Sequence, residues 1–208
     1  MIPEITHLLD LAGVLVFALS GVLVASRKQM DVIGFALLAT FTGLGGGTLR
    51  DVILDRPVIW LQDASYLTVC AAAAVVGFFV AQHIQTRYRL LLWLDAIGLG
   101  AFAVLGAKIA LESGAPVPAA VVLGVMTATF GGLVRDVVSG EEPLILKQEI
   151  YATAALLGAG VYALLLIMGL NDLPAAVAGM GAGFVLRGLA IIYRLTLPRY
   201  RSRAGRKW

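Results

Sequence analysis

Residues Thr42–Asp51 read TGLGGGTLRD, and residues Thr127–Asp136, which begin 85 positions later, read TATFGGLVRD. Each stretch lies inside a long apolar segment and combines consecutive glycines with an adjacent arginine and aspartate. Charged residues are rare within such segments, so the recurrence of this motif at a fixed spacing indicates that the chain contains a repeat.

The composition places this chain in a lipid bilayer. Hydrophobic residues make up 60% of its 208 residues, charged residues make up 14%, and the mean hydropathy is +0.91. These fractions lie well outside those of soluble domains. Stretches of about 20 apolar residues, the length that a helix needs to cross the hydrocarbon core, can be placed seven times. They lie near residues 8–26, 31–54, 65–84, 91–111, 116–138, 149–169 and 174–196. The sequence predicts an all-α membrane protein with one seven-span domain, residues 1–196, and a basic tail, residues 197–208.

The basic residues orient these spans. If the N-terminus is outside the cell, the cytoplasmic loops and the tail contain nearly all of the lysines and arginines that flank the spans, as the positive-inside rule requires. These residues are Arg27, Lys28, Arg87, Arg89, Lys147, Arg199, Arg201, Arg203, Arg206 and Lys207. We therefore expect the C-terminal tail to be cytoplasmic and to contact anionic lipid headgroups. The basic charge needs no nucleic-acid partner.

The repeat extends beyond the two motifs at the same offset. Three spans form each unit, residues 5–84 and 90–169, and because three is odd the second unit must enter the membrane from the opposite side. The sequence thus predicts two inverted repeats followed by a seventh helix, residues 174–196. The matched pairs include Asp10 and Asp95, Gly13 and Gly98, Phe17 and Phe102, Gly21 and Gly106, and Tyr66 and Tyr151.

The glycines predict a weak point in two helices. Gly45, Gly46 and Gly47 are consecutive, and each costs about 1 kcal/mol of helix stability relative to alanine, which favours a kink or an unwound stretch. Gly131 and Gly132 form the shorter copy. Backbone groups freed in this way line ion and substrate sites in many transport proteins. The alternative is close packing of helices through small residues.

The charged pairs must find partners. An arginine or aspartate in hydrocarbon costs at least about 2.5–3.5 kcal/mol, so we expect these side chains to face the bundle interior or an aqueous vestibule. Neighbouring residues on a helix point in different directions, which argues against pairing of Arg50 with Asp51. Asp10 and Asp95 are the candidate partners of Arg50 and Arg135. The alternative is that the charges extend to the interface at the ends of their spans.

A further charge, Lys108, lies in the fourth span and has no counterpart in the repeat, where Leu23 holds the matching position. Its ammonium is a candidate for a gating or field-sensing charge, with extension to the membrane interface as the alternative.

Enzyme motifs are absent from the sequence. It contains no zinc-protease, serine-hydrolase or P-loop signature, and the two histidines, His7 and His83, lie far apart near span ends. The sequence therefore predicts neither an enzyme nor a metal or cofactor site.

The two motifs, Gly46–Asp51 and Gly131–Asp136, in a seven-span chain of this length resemble those of prokaryotic trimeric intracellular cation (TRIC) channels, a domain also labelled glycine transporter. The resemblance covers about residues 5–196. It implies a cell (inner) membrane protein of a bacterium or archaeon, a homotrimer with lipid between its subunits, and in each subunit an hourglass pore for potassium and similar cations. One departure is that Phe130 stands where the first motif has Gly45.

Function can then be stated as an expectation. We predict a monovalent cation channel whose pore is lined by the second and fifth membrane helices, opened at their glycines. The alternative is a secondary transporter of a small zwitterion such as glycine, which uses the same breaks. The residues expected to line the pore are Thr42, Gly43, Gly45, Gly46, Gly47, Arg50, Asp51, Thr127, Gly131, Gly132, Arg135 and Asp136.

Overall fold

The computed structural model describes residues 2–84, 87–147 and 150–198, with side chains from residue 7 onward. Every regular element in these ranges is a helix. The α-helices are α1 (Ile2–Arg27), α2 (Val32–Ile53), α3 (Ile59–Gln62), α4 (Ser65–Val80), α5 (Arg87–Glu112), α6 (Val117–Val138), α7 (Ala152–Ile167) and α8 (Asp172–Tyr193), and 3-10 turns cover Ala81–His83 and Leu144–Leu146. Residues 199–208 of the predicted basic tail lie outside the described residues.

Six helical segments are long and apolar enough to cross a membrane, namely α1, α2, α5, α6, α8, and α4 extended by the turn Ala81–His83. The helix α7 is also apolar but has only 16 residues, and α3 has four. The seven predicted spans correspond to α1, α2, α4, α5, α6, α7 and α8, and their bounds differ from the prediction by a few residues. The prediction missed α3 and the turn Leu144–Leu146, which follow the two Arg-Asp motifs.

The ends of the helices have local causes. Asp31 precedes α2, and its side chain accepts a hydrogen bond of 2.8 Å from the backbone N–H of Gly34, which would otherwise lack a partner. After α5, α6 and α7, the chain turns through Gly114, Gly140 and Gly169, all with a φ between 66° and 84°. Glycine adopts this left-handed conformation without strain, so these turns end the helices sharply.

The packing order places the two motifs side by side. In the first half of the chain α1 packs against α2 and α4, and in the second half α5 packs against α6 and α7. The halves meet where α1 contacts α5 and where α2 contacts α6, while the main contacts of α8 are with α5 and α7 of the second half. Both motif helices therefore cross near the centre of the bundle.

Candidate functional site

The crossing of α2 and α6 is built on one glycine from each motif. A Cβ atom on Gly46 would collide with the carbonyl oxygen of Thr127, and one on Gly131 would collide with that of Thr42. The two helices nevertheless run without interruption through their glycines. The prediction that they open into an unwound stretch is therefore wrong. At these two positions glycine allows the backbones to approach closely, and the helical hydrogen bonds remain in place.

The other motif residues at this level also serve packing. The hydroxyls of Thr42 and Thr127 donate to carbonyl oxygens of their own helices, at Leu38 and Leu123, over 2.5 and 2.7 Å. The position of a Cβ on Gly43 lies 3.1 Å from the carbonyl oxygen of Val14 and 3.2 Å from Cys70 Sγ, and that on Gly45 lies 3.5 Å from Gly131 Cα. These glycines let α1, α4 and α6 pack closely against α2.

Each arginine pairs with the aspartate that follows it. Arg50 Nε donates to Asp51 Oδ1 over 2.8 Å, and Arg135 Nε donates to Asp136 Oδ1 over the same distance. The argument from neighbouring helix positions against this pairing is wrong, because it considers only the directions of the Cβ atoms. A long arginine side chain can fold back over its own helix end, and in both copies its guanidinium group reaches the neighbouring carboxylate.

The second oxygen of each aspartate holds the segment that follows the motif. Asp51 Oδ2 accepts a hydrogen bond from the backbone N–H of Ile59 over 3.2 Å, and Asp136 Oδ2 accepts one from Leu144 over 3.0 Å. These amides open α3 and the turn Leu144–Leu146 and have no helical partner of their own. The aspartates thus serve as cation partners and as caps, a role that the sequence analysis did not foresee.

In the second half, the arginine belongs to a fully buried network, which we call the closed network, although Arg135 Nη2 and Asp95 Oδ2 make no hydrogen bond within the described residues. Arg135 Nη1 lies 2.9 Å from Asp95 Oδ1 and donates to Ser20 Oγ over 3.0 Å. Arg135, Asp95 and Ser20 have no exposed surface. The predicted pairing of Arg135 with Asp95 is therefore confirmed, and it joins α6, α5 and α1.

In the first half, the matching network is incomplete. Asp10 Oδ2 accepts a hydrogen bond of 3.0 Å from the hydroxyl of Tyr66, and Leu105 holds the position that corresponds to Ser20. Arg50 Nη1 is buried and makes no hydrogen bond within the described part of the chain. Arg50 Nη1 therefore keeps N–H donors that no described residue accepts, as Arg135 Nη2 does in the other half.

A polar cavity of about 460 Å³ opens beside this incomplete network. We call it the vestibule. A further space of about 10 Å³, roughly that of one water, shares four of its residues and is also lined by Gly43, Gly47 and Phe102. The vestibule is lined by His7, Asp10, Arg50, Asp51, Arg56, Pro57, Ile59, Tyr66, Lys108, Ile109 and Glu112.

Acidic charge lies close to the vestibule as well. His7 Nε2 lies 3.6 Å from Asp63 Oδ2, and the backbone N–H of Ser65 donates to Asp63 Oδ1 over 2.8 Å. This hydrogen bond stabilises the carboxylate and holds the pKa of Asp63 below its usual range. Asp63 is therefore ionised at neutral pH.

Two stacked phenylalanines separate the two networks along α1. Phe17 and Phe102 hold matching positions in the repeat, and their ring centroids lie 5.4 Å apart with an interplanar angle of 17°. Each ring lies over a glycine of the other half: Phe102 atoms lie 3.2 Å from a Cβ placed on Gly13, and a Phe17 atom lies 2.8 Å from one placed on Gly98. In sequence, Phe17 lies between Asp10 and Ser20, so this apolar stack lies along α1 between a residue that lines the vestibule and a residue of the closed network.

Lys108 lies on the wall of the vestibule. Its Nζ is 2.6 Å from Asp172 Oδ2 and 3.9 Å from Glu112 Oε1, and Asp172 Oδ1 accepts a hydrogen bond of 2.7 Å from the Tyr162 hydroxyl. The lysine is 7% exposed. Its ammonium group thus links α5 to the start of α8 by an ion pair.

The sequence analysis missed Arg187, which is fully buried in α8. Its guanidinium group lies 5.2 Å from the ring centroid of Tyr151, and Nη1 donates to the carbonyl oxygen of Ile150 over 3.1 Å. The signal was available, because a charged residue inside the predicted span 174–196 has the same cost that singled out Arg50.

A family model described as glycine transporter matches the chain twice, over residues 7–82 and 92–166. A TRIC trimeric intracellular cation channel orthologue from Rhodobacter sphaeroides has the same fold, with a TM-score of 0.90 and 49% identity; the match covers 92% of this chain and 99% of the other. The chain belongs to the TRIC family. The two matched segments coincide with the two halves of the repeat.

Other members of the TRIC family align over nearly the full chain. A structure of a TRIC cation channel has a TM-score of 0.83 and 33% identity, over 96% of this chain and 98% of the other. The UPF0126 inner membrane protein YadS of Escherichia coli K12 is 38% identical over 202 residues, which cover 94% of this chain and 96% of the relative. A UPF0126 membrane protein of Vibrio cholerae is 36% identical over 202 residues, which cover 95% of this chain and 83% of the relative. This TRIC-family chain is accordingly a membrane protein.

Proposed function

We propose that this protein is a channel for monovalent cations, potassium among them, with a separate path in each subunit. The observation that carries this proposal is the vestibule, a cavity of about 460 Å³ at the end of a membrane helix bundle, which places the carboxylates of Asp10, Asp51 and Glu112 beside the cations Arg50, Arg56 and Lys108. Carboxylate oxygens can replace part of the water shell of a cation. Solved structures similar to this chain are described as TRIC cation channels, which supports the same reading.

The path runs from the vestibule past Asp10 and Gly47, through the constriction at Phe17 and Phe102, and on to Asp95 in the closed network. Acidic groups at both ends and an apolar centre suit a cation pore that opens by separating the two rings. The walls come from α1, α2, α5 and α6, and the motif residues act mainly by their packing and charge. The residues assigned to these walls remain Thr42, Gly43, Gly45, Gly46, Gly47, Arg50, Asp51, Thr127, Gly131, Gly132, Arg135 and Asp136.

The two halves are inverted repeats in this proposal, with α8 as the seventh span outside them. The reciprocal contact of Gly46 with Thr127 and of Gly131 with Thr42 supports a twofold axis through the crossing of α2 and α6. The odd number of spans in each half supports opposite orientations in the membrane.

The proposed orientation places the N-terminus outside and the C-terminus in the cytoplasm, in a bacterial or archaeal cell membrane. Contacts among the basic loops support it, because Arg27 Nη2 lies 2.8 Å from Glu141 Oε1, and both Arg27 and Lys147 lie over the ring of Tyr88. These residues therefore share one end of the bundle, as the positive-inside rule expects of cytoplasmic loops.

We also propose a homotrimer with lipid between its subunits. The R. sphaeroides relative is described as trimeric, and many large apolar side chains on the outer helix faces are exposed in the single chain, Val76 and Phe79 of α4 among them. Such faces contact lipid or another subunit.

A carrier for a small zwitterion such as glycine is the second candidate. One observation favours it: Arg50 Nη1 has donors without a partner among the described residues, and Asp10 lies in the same cavity. A guanidinium group and a carboxylate in one cavity suit a carboxylate and an ammonium group of one ligand. The family description, glycine transporter, agrees with it.

Flux through purified protein in liposomes tests both candidates. A channel should pass potassium much faster than about 10³ ions per second, the rate of a millisecond conformational cycle, without taking up labelled glycine. Asp10→Asn should lower this flux severalfold, whereas Glu142→Gln, which removes an exposed carboxylate that does not line the vestibule, should leave it unchanged. Slow, saturable glycine uptake without potassium conductance would reject the channel and support the carrier.

A further inference from the structure

The helix outside the repeat contributes a buried arginine to only one half of the protein. Arg187 of α8 has no exposed surface, and its guanidinium group lies over the ring of Tyr151 at 5.2 Å from the centroid. Its hydrogen bond to the carbonyl oxygen of Ile150 fixes it against the residue before this tyrosine. Because α8 has no counterpart in the repeat, Tyr66, the match of Tyr151, lacks an equivalent support from a seventh helix.

The two tyrosines occupy different places in their halves. The Tyr151 hydroxyl lies 3.0 Å from the position of a Cβ on Gly132, and Asp95 Oδ1 lies 3.4 Å from the same point. Around Gly47, the match of Gly132, the only atom near that position is Arg50 Nη2, at 3.7 Å. Tyr151 therefore fills, in the second half, the position beside the motif helix that in the first half borders the space of about 10 Å³ next to the vestibule.

Charge separates the halves in the same way. In the second half, the buried motif network has two carboxylates, Asp95 and Asp136, and one cation, Arg135. The first half has the same excess of one negative charge, with Asp10 and Asp51 against Arg50. In the second half Arg187 is a further buried cation, which lies over the ring of Tyr151. An unbalanced buried charge is costly and draws in water and counter-ions. In the first half this imbalance borders a cavity whose wall also carries Arg56 and Lys108, whereas in the second half the fully buried Arg187 is the added cation.

We propose that Arg187 is the positioning residue that keeps the second half of the pore closed, by holding Tyr151 over Gly132 and by offsetting the charge of Asp95 and Asp136. This inference rests on the proposed conduction path, since it assigns the closed end of that path. Opening then requires α8 to move relative to Tyr151, and the seventh helix controls entry at one end alone.

Cysteine reporters at matched positions test this directly. Ile59, which lines the vestibule, corresponds to Leu144, which is 3% exposed in the second half, and Cys70 is the single cysteine of the chain. In a Cys70→Ala background, Ile59→Cys should react readily with a charged, membrane-impermeant thiol reagent and Leu144→Cys should be protected. Arg187→Met should raise the rate at Leu144→Cys by about tenfold or more, as expected when a closed region becomes locally open. The rate at Ile59→Cys should not change, and Arg187→Lys should preserve most of the protection.

Several outcomes would overturn the inference. One is an unchanged rate at Leu144→Cys in Arg187→Met, and another is an equal rise at both reporters, which would indicate general loosening. If Arg187→Met does not fold, Tyr151→Ala must expose Leu144→Cys selectively, and continued protection there contradicts the proposal. Flux is measured on the same samples. Selective exposure in a protein that passes no potassium would support the role of Arg187 and reject conduction, so the two failures are distinguishable.

Discussion

Gly46 lies against the carbonyl oxygen of Thr127, and Gly131 lies against the carbonyl oxygen of Thr42, so the two glycines hold equivalent positions on one helix crossing. In each case the contacted threonine is four residues before the other glycine. A contact of this kind cannot be made by any residue with a side chain, because the Cβ atom would occupy the space of a backbone oxygen.

Gly46→Ala and Gly131→Ala should each destabilise the protein to a similar extent, by about 1–3 kcal/mol or more, because the backbones must separate to admit a methyl group. Thermal unfolding in detergent measures the effect as a lower melting temperature. Gly160→Ala is the matched control, since nothing lies within 4 Å of its Cβ position in α7. There alanine should leave the melting temperature unchanged or raise it slightly. Equal effects at all three positions would contradict the packing role.

The next pair, Gly47 and Gly132, should respond differently. Gly132→Ala places its methyl group 3.0 Å from the Tyr151 hydroxyl, so this tyrosine must shift, whereas Gly47→Ala meets only Arg50 Nη2 at an ordinary 3.7 Å. We expect a clearly lower melting temperature for Gly132→Ala and a nearly unchanged one for Gly47→Ala. A larger loss at Gly47 would mean that the space beside this residue does not admit a methyl group.

Removal of one carboxylate should reveal the same asymmetry. Asp95→Asn breaks a fully buried ion pair with Arg135 and should cost about 3–5 kcal/mol, because the arginine loses a partner that no water replaces. Asp10→Asn borders the vestibule, where water can solvate the remaining groups, so its cost should be smaller. The melting temperatures of the two variants are compared directly. A greater decrease for Asp10→Asn than for Asp95→Asn would contradict the view that Asp10 borders a solvated cavity while Asp95 is enclosed.

The stacked rings predict a gain of flux. Phe102→Ala removes one side of the constriction next to the vestibule and should raise potassium flux in liposomes severalfold. Phe78→Ala is a control of the same size, since Phe78 contacts Phe35 between α4 and α2 and does not line the vestibule. Reduced flux in a folded Phe102→Ala protein would place the path elsewhere.

Lys108 remains the candidate gating charge. Lys108→Gln removes the ion pair with Asp172, and we expect it to change the voltage dependence of the current in planar bilayers, whereas Lys108→Arg should retain most of it. Glu112→Gln, which removes the weaker partner at 3.9 Å, should have a smaller effect. Identical voltage dependence in Lys108→Gln and wild type would exclude a gating role.

Much of the fold could be predicted because its causes are local. Every predicted span corresponds to a helix, because a run of about 20 apolar residues is enough to identify a membrane helix. The recurrence of Asp10 and Asp95 was also visible in the sequence and led to the correct partner for Arg135. The pairing of Arg50 with Asp51 was predicted wrongly, because a rule about Cβ directions does not describe where a flexible side chain ends.

By itself, the sequence determined that this is a helical membrane protein with a duplicated motif, because hydropathy and register are properties of residues along the chain. Only the tertiary structure decided what the motif residues do. Gly46 and Gly131 serve a helix crossing because α2 meets α6, and Arg135 is enclosed by α1 and α5 while Arg50 borders a cavity. Two nearly identical motifs thus acquire different environments from helices far away in the sequence.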